Sequence, residues 1–171
     1  GPALDALFNQ PGHILVEENG SFYITDTMNQ RIRKISASGV ISTVAGNGVQ
    51  GFGGDGGLAI DAQLWRPDGL DIDSSGNLYI ADGGNDRIRK VSPNGIITTI
   101  AGGGNGFPSH NGNGKLAIES QLHGVSDILV DRYGAIYFGD TKGVKRISGS
   151  GIITSWAGFP SDGYDGLLAP F

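Results

Sequence analysis

The sequence predicts an all-β chain: a β-propeller segment of three four-stranded antiparallel blades, an incomplete ring or half of a six-bladed one. Three observations predict it. One unit of about 56 residues recurs along the chain, as the spacing from Pro11 to Pro67 shows. Each unit carries four short stretches of strand character. The 31 glycines among 171 residues, with only 8% aromatic residues, imply many tight turns and few large core anchors.

The recurrence is positional. Pro11 returns as Pro67, Asp26 as Asp82 and Asp140, Gly39 as Gly95 and Gly151, and Ala45-Gly46 as Ala101-Gly102 and Ala157-Gly158. The whole chain, 1–171, reads as one segment with blade units at about 1–56, 57–113 and 114–165, and 166–171 starting a fourth. Gly1-Pro2-Ala3 matches Gly57-Leu58-Ala59, so the first residues read as part of the repeat; at the other end Ala169-Pro170-Phe171 realigns with Ala6-Leu7-Phe8.

The second unit shows the elements most plainly. Leu70 and Ile72 alternate with Asp71 and Asp73, then Ser74-Ser75-Gly76-Asn77 turns the chain into Leu78-Tyr79-Ile80-Ala81, a hairpin pattern. Arg87 to Val91 is a third strand, Pro93-Asn94-Gly95 a tight turn, and Ile96 to Ala101 a β-branched fourth strand, matched by Val40 to Ala45 and Ile152 to Ala157. In the first unit the first turn holds Asn19-Gly20, a dipeptide suited to positive φ at both central positions of a type I′ turn. A Gly-rich segment such as Gly46 to Arg66 links each fourth strand to the next unit, and its end, Leu58 to Leu64, is expected to form one helical turn. A four-stranded sheet apolar on both faces must stack on its neighbours, which repeated radially gives a propeller. Three blades do not close a ring, so a second copy or further blades are expected to complete it.

At Asp26-Thr27-Met28-Asn29-Gln30-Arg31-Ile32-Arg33-Lys34-Ile35 and Asp82-Gly83-Gly84-Asn85-Asp86-Arg87-Ile88-Arg89-Lys90-Val91 the chain resembles the signature of NHL repeats. Pro67-Asp68-Gly69-Leu70 and Gly76-Asn77-Leu78-Tyr79-Ile80-Ala81-Asp82 are similar to that family's preceding pattern. The third unit departs: Asp140-Thr141-Lys142-Gly143-Val144-Lys145-Arg146-Ile147 is two residues shorter and lacks the Asn-x-Arg element. The resemblance implies a propeller used mainly as a recognition scaffold, with a minority of similar propellers acting as enzymes near the central channel. Fold likeness alone does not choose between these.

Recurrence also weighs on the candidate sites. Asp26 with Arg31, and Asp82 with Arg87, sit at one place in two blades, echoed by Asp140; a catalytic pair would occur once, so these read as structural repeat positions whose carboxylates accept turn amides or face a guanidinium. Arg33-Lys34, Arg89-Lys90 and Lys145-Arg146 read as a solvated basic stripe. Gly46-Asn47-Gly48-Val49-Gln50-Gly51 has the G-x-G-x-x-G spacing, but more glycines follow it where a dinucleotide site needs a helix N-terminus. His13, His110 and His123 share no repeat position, and neither a Gly-x-Ser-x-Gly elbow nor a cysteine offers a nucleophile. No catalytic or metal-ligating residue is assigned and no cofactor is expected. Calcium is the ion these carboxylates would suit, at Asp71 to Asp82 by spacing and at the acidic glycine loops of Asp55 and of Asp162 with Asp165.

The expected function is therefore a non-enzymatic scaffold for protein–protein interaction or structural assembly. Phe52, Trp65, Phe107 and Tyr164, on the Gly-rich segments of one rim, are the candidate anchors for a protein partner. The alternative is a metal-dependent hydrolase or lyase with a channel site lined by His13, Asp71 and Asp127. A net charge of −5 argues against a nucleic-acid partner. No apolar run is long enough to span a membrane. Absent cysteines leave the compartment open, an extracellular or secreted one being preferred, where Asn19-Gly20-Ser21 would be a glycosylation sequon.

Overall fold

The computed structural model describes residues 1–104 and 113–158. It contains three antiparallel four-stranded sheets, each a simple meander in chain order. The first blade is β1 (Pro11–Val16), β2 (Phe22–Asp26), β3 (Arg31–Ile35) and β4 (Ile41–Ala45). The second is β5 (Pro67–Ile72), β6 (Leu78–Asp82), β7 (Arg87–Val91) and β8 (Ile97–Ala101). The third is β9 (Ile128–Val130), β10 (Ile136–Asp140), β11 (Gly143–Ile147) and β12 (Ile153–Gly158).

Strand alternation gives every blade two apolar faces. In β6, Leu78 and Ile80 point back to Tyr23, Ile32 and Ala45 of the first blade, and Leu64, Leu70 and Ile97 join them. Tyr79 and Ala81, one residue out of phase, point forward with Ile88 and Ala101 to Ile128, Ile136, Phe138 and Ile153 of the third blade. Each fully buried Leu or Ile in these seams contributes about 1.5–3 kcal/mol, so stacking holds blades together that could not cover both faces alone. On the first blade's leading face, the face towards its own N-terminal segment, Ile24, Ile35 and Ile41 pack with Ala3, Ala6 and Phe8.

The segment that precedes a blade returns to that blade's last strand. Ala59 N donates to Gly95 O and Ile97 N to Gly57 O, with Leu58 bridging Ile96. The same bonds recur at Ala3 with Gly39 and at Ala117 with Gly151. They cover the beginning of each fourth strand's outer edge. Each segment carries one short 3-10 turn, Ala3–Asp5, Ala59–Asp61 and Ala117–Glu119, which is the expected helical turn.

The turn at Asn19-Gly20 differs from expectation. Only Gly20 has positive φ there, Gly20 N donates to Glu17 O, and Ser21 N donates to the Asn19 side chain. This is a three-residue connection closed by a left-handed glycine, not a type I′ pair, because the Asn19 carboxamide is used to hold the local backbone. Gly76, Gly134, Gly39, Gly95 and Gly151 repeat the geometry. Two further 3-10 turns, Thr27–Asn29 and Gly83–Asn85, fall inside the Asp-x-x-Asn-x-Arg element and end on Gln30 and Asp86 in the left-handed region. The third blade, two residues shorter, passes from Asp140 to Gly143 without one.

Candidate functional site

Each second strand ends on its recurrent aspartate, whose carboxylate binds the adjoining turn. Asp82 Oδ1 accepts from Trp65 N at 2.8 Å and Asp82 Oδ2 from Asn85 Nδ2 at 2.8 Å. Asp26 Oδ1 accepts likewise from Asn9 N and Asn29 Nδ2, both at 2.9 Å. The guanidinium facing the carboxylate is not Arg31 or Arg87, although those residues lie opposite the aspartates in register. Their side chains turn to the carbonyls of Asn29 and Asn85. The ionic partner stands two residues further on: Arg89 at 3.3 Å from Asp82, Arg33 at 3.8 Å from Asp26, and Lys145 at 3.8 Å from Asp140. Strand alternation puts Arg87 and Arg89 on the same sheet face as Ile80 and Asp82; Arg87 is taken by the Asn85 carbonyl of the turn, which leaves the carboxylate to Arg89.

This corrects the basic stripe. Arg89 is 0% exposed and Lys145 is buried, so these cations are interior parts of the blades and not a solvated surface. Arg89 is the most enclosed: it donates to Gln63 O, Gly53 O, Asp82 and Asp55, the last at 2.8 Å. Burial pushes the Asp82 carboxyl up from its ordinary range, more strongly than Trp65, Asn85 and Arg89 pull it down. The sequence alone places Arg33, Arg89 and Lys145 in a basic stripe and not beside the recurrent aspartates. A basic residue two positions before the third strand's apolar end, in every unit, was the available signal.

On the rim, Phe52 and Trp65 are both exposed and both anchored on the Gly83–Asn85 turn. Asn85 Nδ2 donates to Gly51 O at 2.7 Å and Gly84 N to Trp65 O at 2.8 Å. Gly84 lies so close to the indole that a Cβ there would strike its ring. The Arg87 guanidinium stacks 4.0 Å from the Phe52 ring centroid, with Arg89 at 5.0 Å. Exposed aromatics held by a fixed turn, one of them stacked on an arginine, are the kind that anchor interfaces. Phe107 and Tyr164 lie outside the described residues.

The inner strands bring His13 Nδ1 to 3.5 Å from Asp127 Oδ1. Asp71 is not available to complete a metal site with them. Its Oδ1 accepts from Ile72 N, and its Oδ2 accepts from Val130 N across the seam between blades. Two ligands are too few for a zinc site, and among the described residues no group of three histidine or acidic side chains could hold a metal.

The calcium candidates meet the same difficulty. Asp73 is occupied by Ser75 N, Asn77 and the Tyr79 hydroxyl, and Asp55 by Arg89. His110, Asp162 and Asp165 lie outside the described residues. Gly46 to Gly51 leads into bridges from Gln50 to Leu64 and from Gly53 to Gln63 instead of a helix, which leaves no dinucleotide cradle.

Residues 47–108 match the family model described as the Teneurin NHL domain. Teneurin-3 of Mus musculus is 41% identical over 96 residues, which cover 48% of this chain and 4% of that protein. Teneurin-1 of Gallus gallus is 34% identical over 160 residues, covering 82% of this chain and 6% of that protein. The chain thus spans only a small fraction of these curated relatives. Among solved structures, a streptogramin B lyase superposes with a TM-score of 0.58 at 16% identity, over 86% of this chain and 40% of that one. That likeness bears on the fold.

Proposed function

This chain is an NHL-repeat protein of β-propeller fold, and from that premise we propose that it is a non-enzymatic, cofactor-free scaffold for protein–protein interaction. The observation that carries the reading is the pair of exposed rim aromatics, Phe52 stacked on half-buried Arg87 and Trp65 fixed to the Gly83–Asn85 turn. Rigid aromatic and arginine side chains lose little conformational freedom on binding, which is why such residues dominate interface energetics. The partner of this reading is a protein met outside the cell or at its surface.

The test is affinity capture with the wild-type chain against Phe52→Ala, Trp65→Ala and the double variant, each shown to be folded by its melting transition. Loss of the same captured proteins from the rim variants supports the reading. Retention of every interaction in the double variant sinks it.

A second reading, a metal-dependent hydrolase or lyase at the inner strands, draws on the His13–Asp127 pair. Bound zinc or calcium by elemental analysis, together with turnover of a lactone or ester panel that His13→Ala abolishes, would favour it over the scaffold.

A further inference from the structure

The two motif arginines occupy one position in successive blades and are used differently. Arg31 spends both ends of its guanidinium inside the chain, Nη1 on Asn29 O and Nη2 on Asn47 O at 2.9 Å. Arg87 spends only Nη1, on Asn85 O at 2.7 Å. Among the described residues its Nη2 has no acceptor, its Nε is buried without one, and no carboxylate pairs with it. The guanidinium lies instead against the exposed Phe52 ring, 4.0 Å from its centroid. A half-buried cation with one uncommitted end, screened from water on one face by an aromatic ring, favours an anionic acceptor.

The acids nearby do not supply that acceptor. Asp55 and Asp82 are held by Arg89, and Asp86 accepts from Gly124 N of the next blade. A second, independent feature adds to the available positive charge. Arg66 follows Trp65, is exposed, and keeps a φ of +48°, where its counterpart in the third blade is Gly124 at +59°. That left-handed backbone is unfavourable for a residue with a Cβ, and Gln30 Oε1, from the first blade's turn, holds the Arg66 amide in place at 2.6 Å. The Arg66 side chain has neither an ion pair nor a hydrogen bond among the described residues. Two arginines thus flank the rim aromatics with charge to spare, on a chain whose net charge is −5.

We propose that the rim takes an acidic peptide segment of its protein partner. An Asp or Glu carboxylate meets Arg87 Nη2, Arg66 draws the same acidic segment, and a neighbouring apolar side chain lies on Phe52 and Trp65. This rests on the scaffold reading above and adds to it the chemistry of the partner. Two uncommitted cations match one or two carboxylates. A single-stranded nucleic acid, whose bases would stack on the same rings, needs a longer positively charged groove along its backbone.

The test is selection from a random linear-peptide display library on the 171-residue chain, followed by titration of the enriched peptides, read by Trp65 fluorescence in a Trp156→Phe background. Expected is enrichment of Asp or Glu beside an apolar residue. Replacing those acids with Asn or Gln should weaken binding about 10-fold or more, the loss of a charge-assisted hydrogen bond. Arg87→Gln should do the same, and the two changes together should cost no more than either alone. Arg66→Gln removes no hydrogen bond made by the chain; it should weaken the acidic peptides and not their amide forms, which keeps the test decisive if the melting transition shows Arg87→Gln to be unfolded. An empty selection, enriched peptides without carboxylates, equal binding of the amide forms, or tighter binding of an oligothymidylate that Arg87→Gln abolishes would each overturn the proposal. If the Phe52→Ala and Trp65→Ala variants lose their captured proteins while amide peptides bind as well as acidic ones, the rim reading stands and this one falls. If acidic peptides bind the double rim variant undiminished and still need Arg87, the rim reading is the one that fails.

Discussion

Replacing Arg89 with methionine keeps the length and apolar stem of the side chain and deletes its charge. Four hydrogen bonds go, at 2.8 to 3.3 Å, and the Asp82 carboxylate, fully enclosed, is left facing the gap. Breaking a buried pair from one side costs about 3–5 kcal/mol, because the remaining charge is desolvated and unpaired. For a chain of this size each kcal/mol lowers the melting temperature by roughly 2–4 °C, so the variant should melt about 6–20 °C lower.

The penalty should also depend on pH with a definite sign. Burial holds the folded Asp82 pKa above its unfolded value. Its contribution to stability is therefore fullest below the unfolded pKa and is lost as pH rises through the folded one. Removing Arg89 raises the folded value further, so the deficit against wild type shrinks in acid and widens towards neutrality. Urea titrations of both proteins at pH 4.5 and pH 7.5 measure this. A loss under about 1 kcal/mol at pH 7.5, a value typical of exposed pairs, would refute the account of Arg89, as would an equal loss at both pH values.

Other predictions rest on separate elements. Gly102→Ala should abolish folding or cut the melting temperature steeply, since φ is +88° and a Cβ would collide with Asp86 O, whereas Gly95→Ala, at φ +81° in open space, should cost only about 1 kcal/mol; thermal melts compare them. The Tyr79 hydroxyl, pushed up to about 12 by burial and by its hydrogen bond to Asp73, should titrate nearer its ordinary value in Asp73→Ala, read by ultraviolet absorbance. Because the folded value is the higher one, stability tied to Tyr79 should be complete below pH 10 and fall as pH rises towards 12. Leu64→Ala, at a fully buried position in the first seam, should cost about 2–5 kcal/mol by chemical denaturation.

The strands were legible because alternation and turn glycines act locally, so Leu70 to Ala81 could be read as a hairpin without knowledge of its neighbours. The stacking of blades was legible from two-faced apolarity. What stayed hidden depends on which of two basic side chains on one face a turn diverts. Arg87 is the motif arginine and lies opposite Asp82, yet Arg89, two residues on, reaches the carboxylate, because the bend at Gly83–Asn85 sends Arg87 to a turn carbonyl. Asp55 looked like a flexible acid on a glycine loop; its partner is 34 residues away and on the next blade. Phe52 and Trp65 stand out in the sequence as aromatics on a Gly-rich inter-blade segment, and the structure adds that one turn holds both.

The return of each leading segment to its own blade's last strand has a consequence for how the chain comes apart. The first and last portions of a repeat are each other's hydrogen-bonding partners, so the start of the outer strand is held while the beginning of its repeat stays docked. Fluctuations that open one blade should release all four strands at once, and amide exchange along a repeat should report one common opening event. The same closure makes the repeat a unit that can be copied or lost whole, with its hydrogen bonds still internal, which is how an arc of this kind can change length without being redesigned.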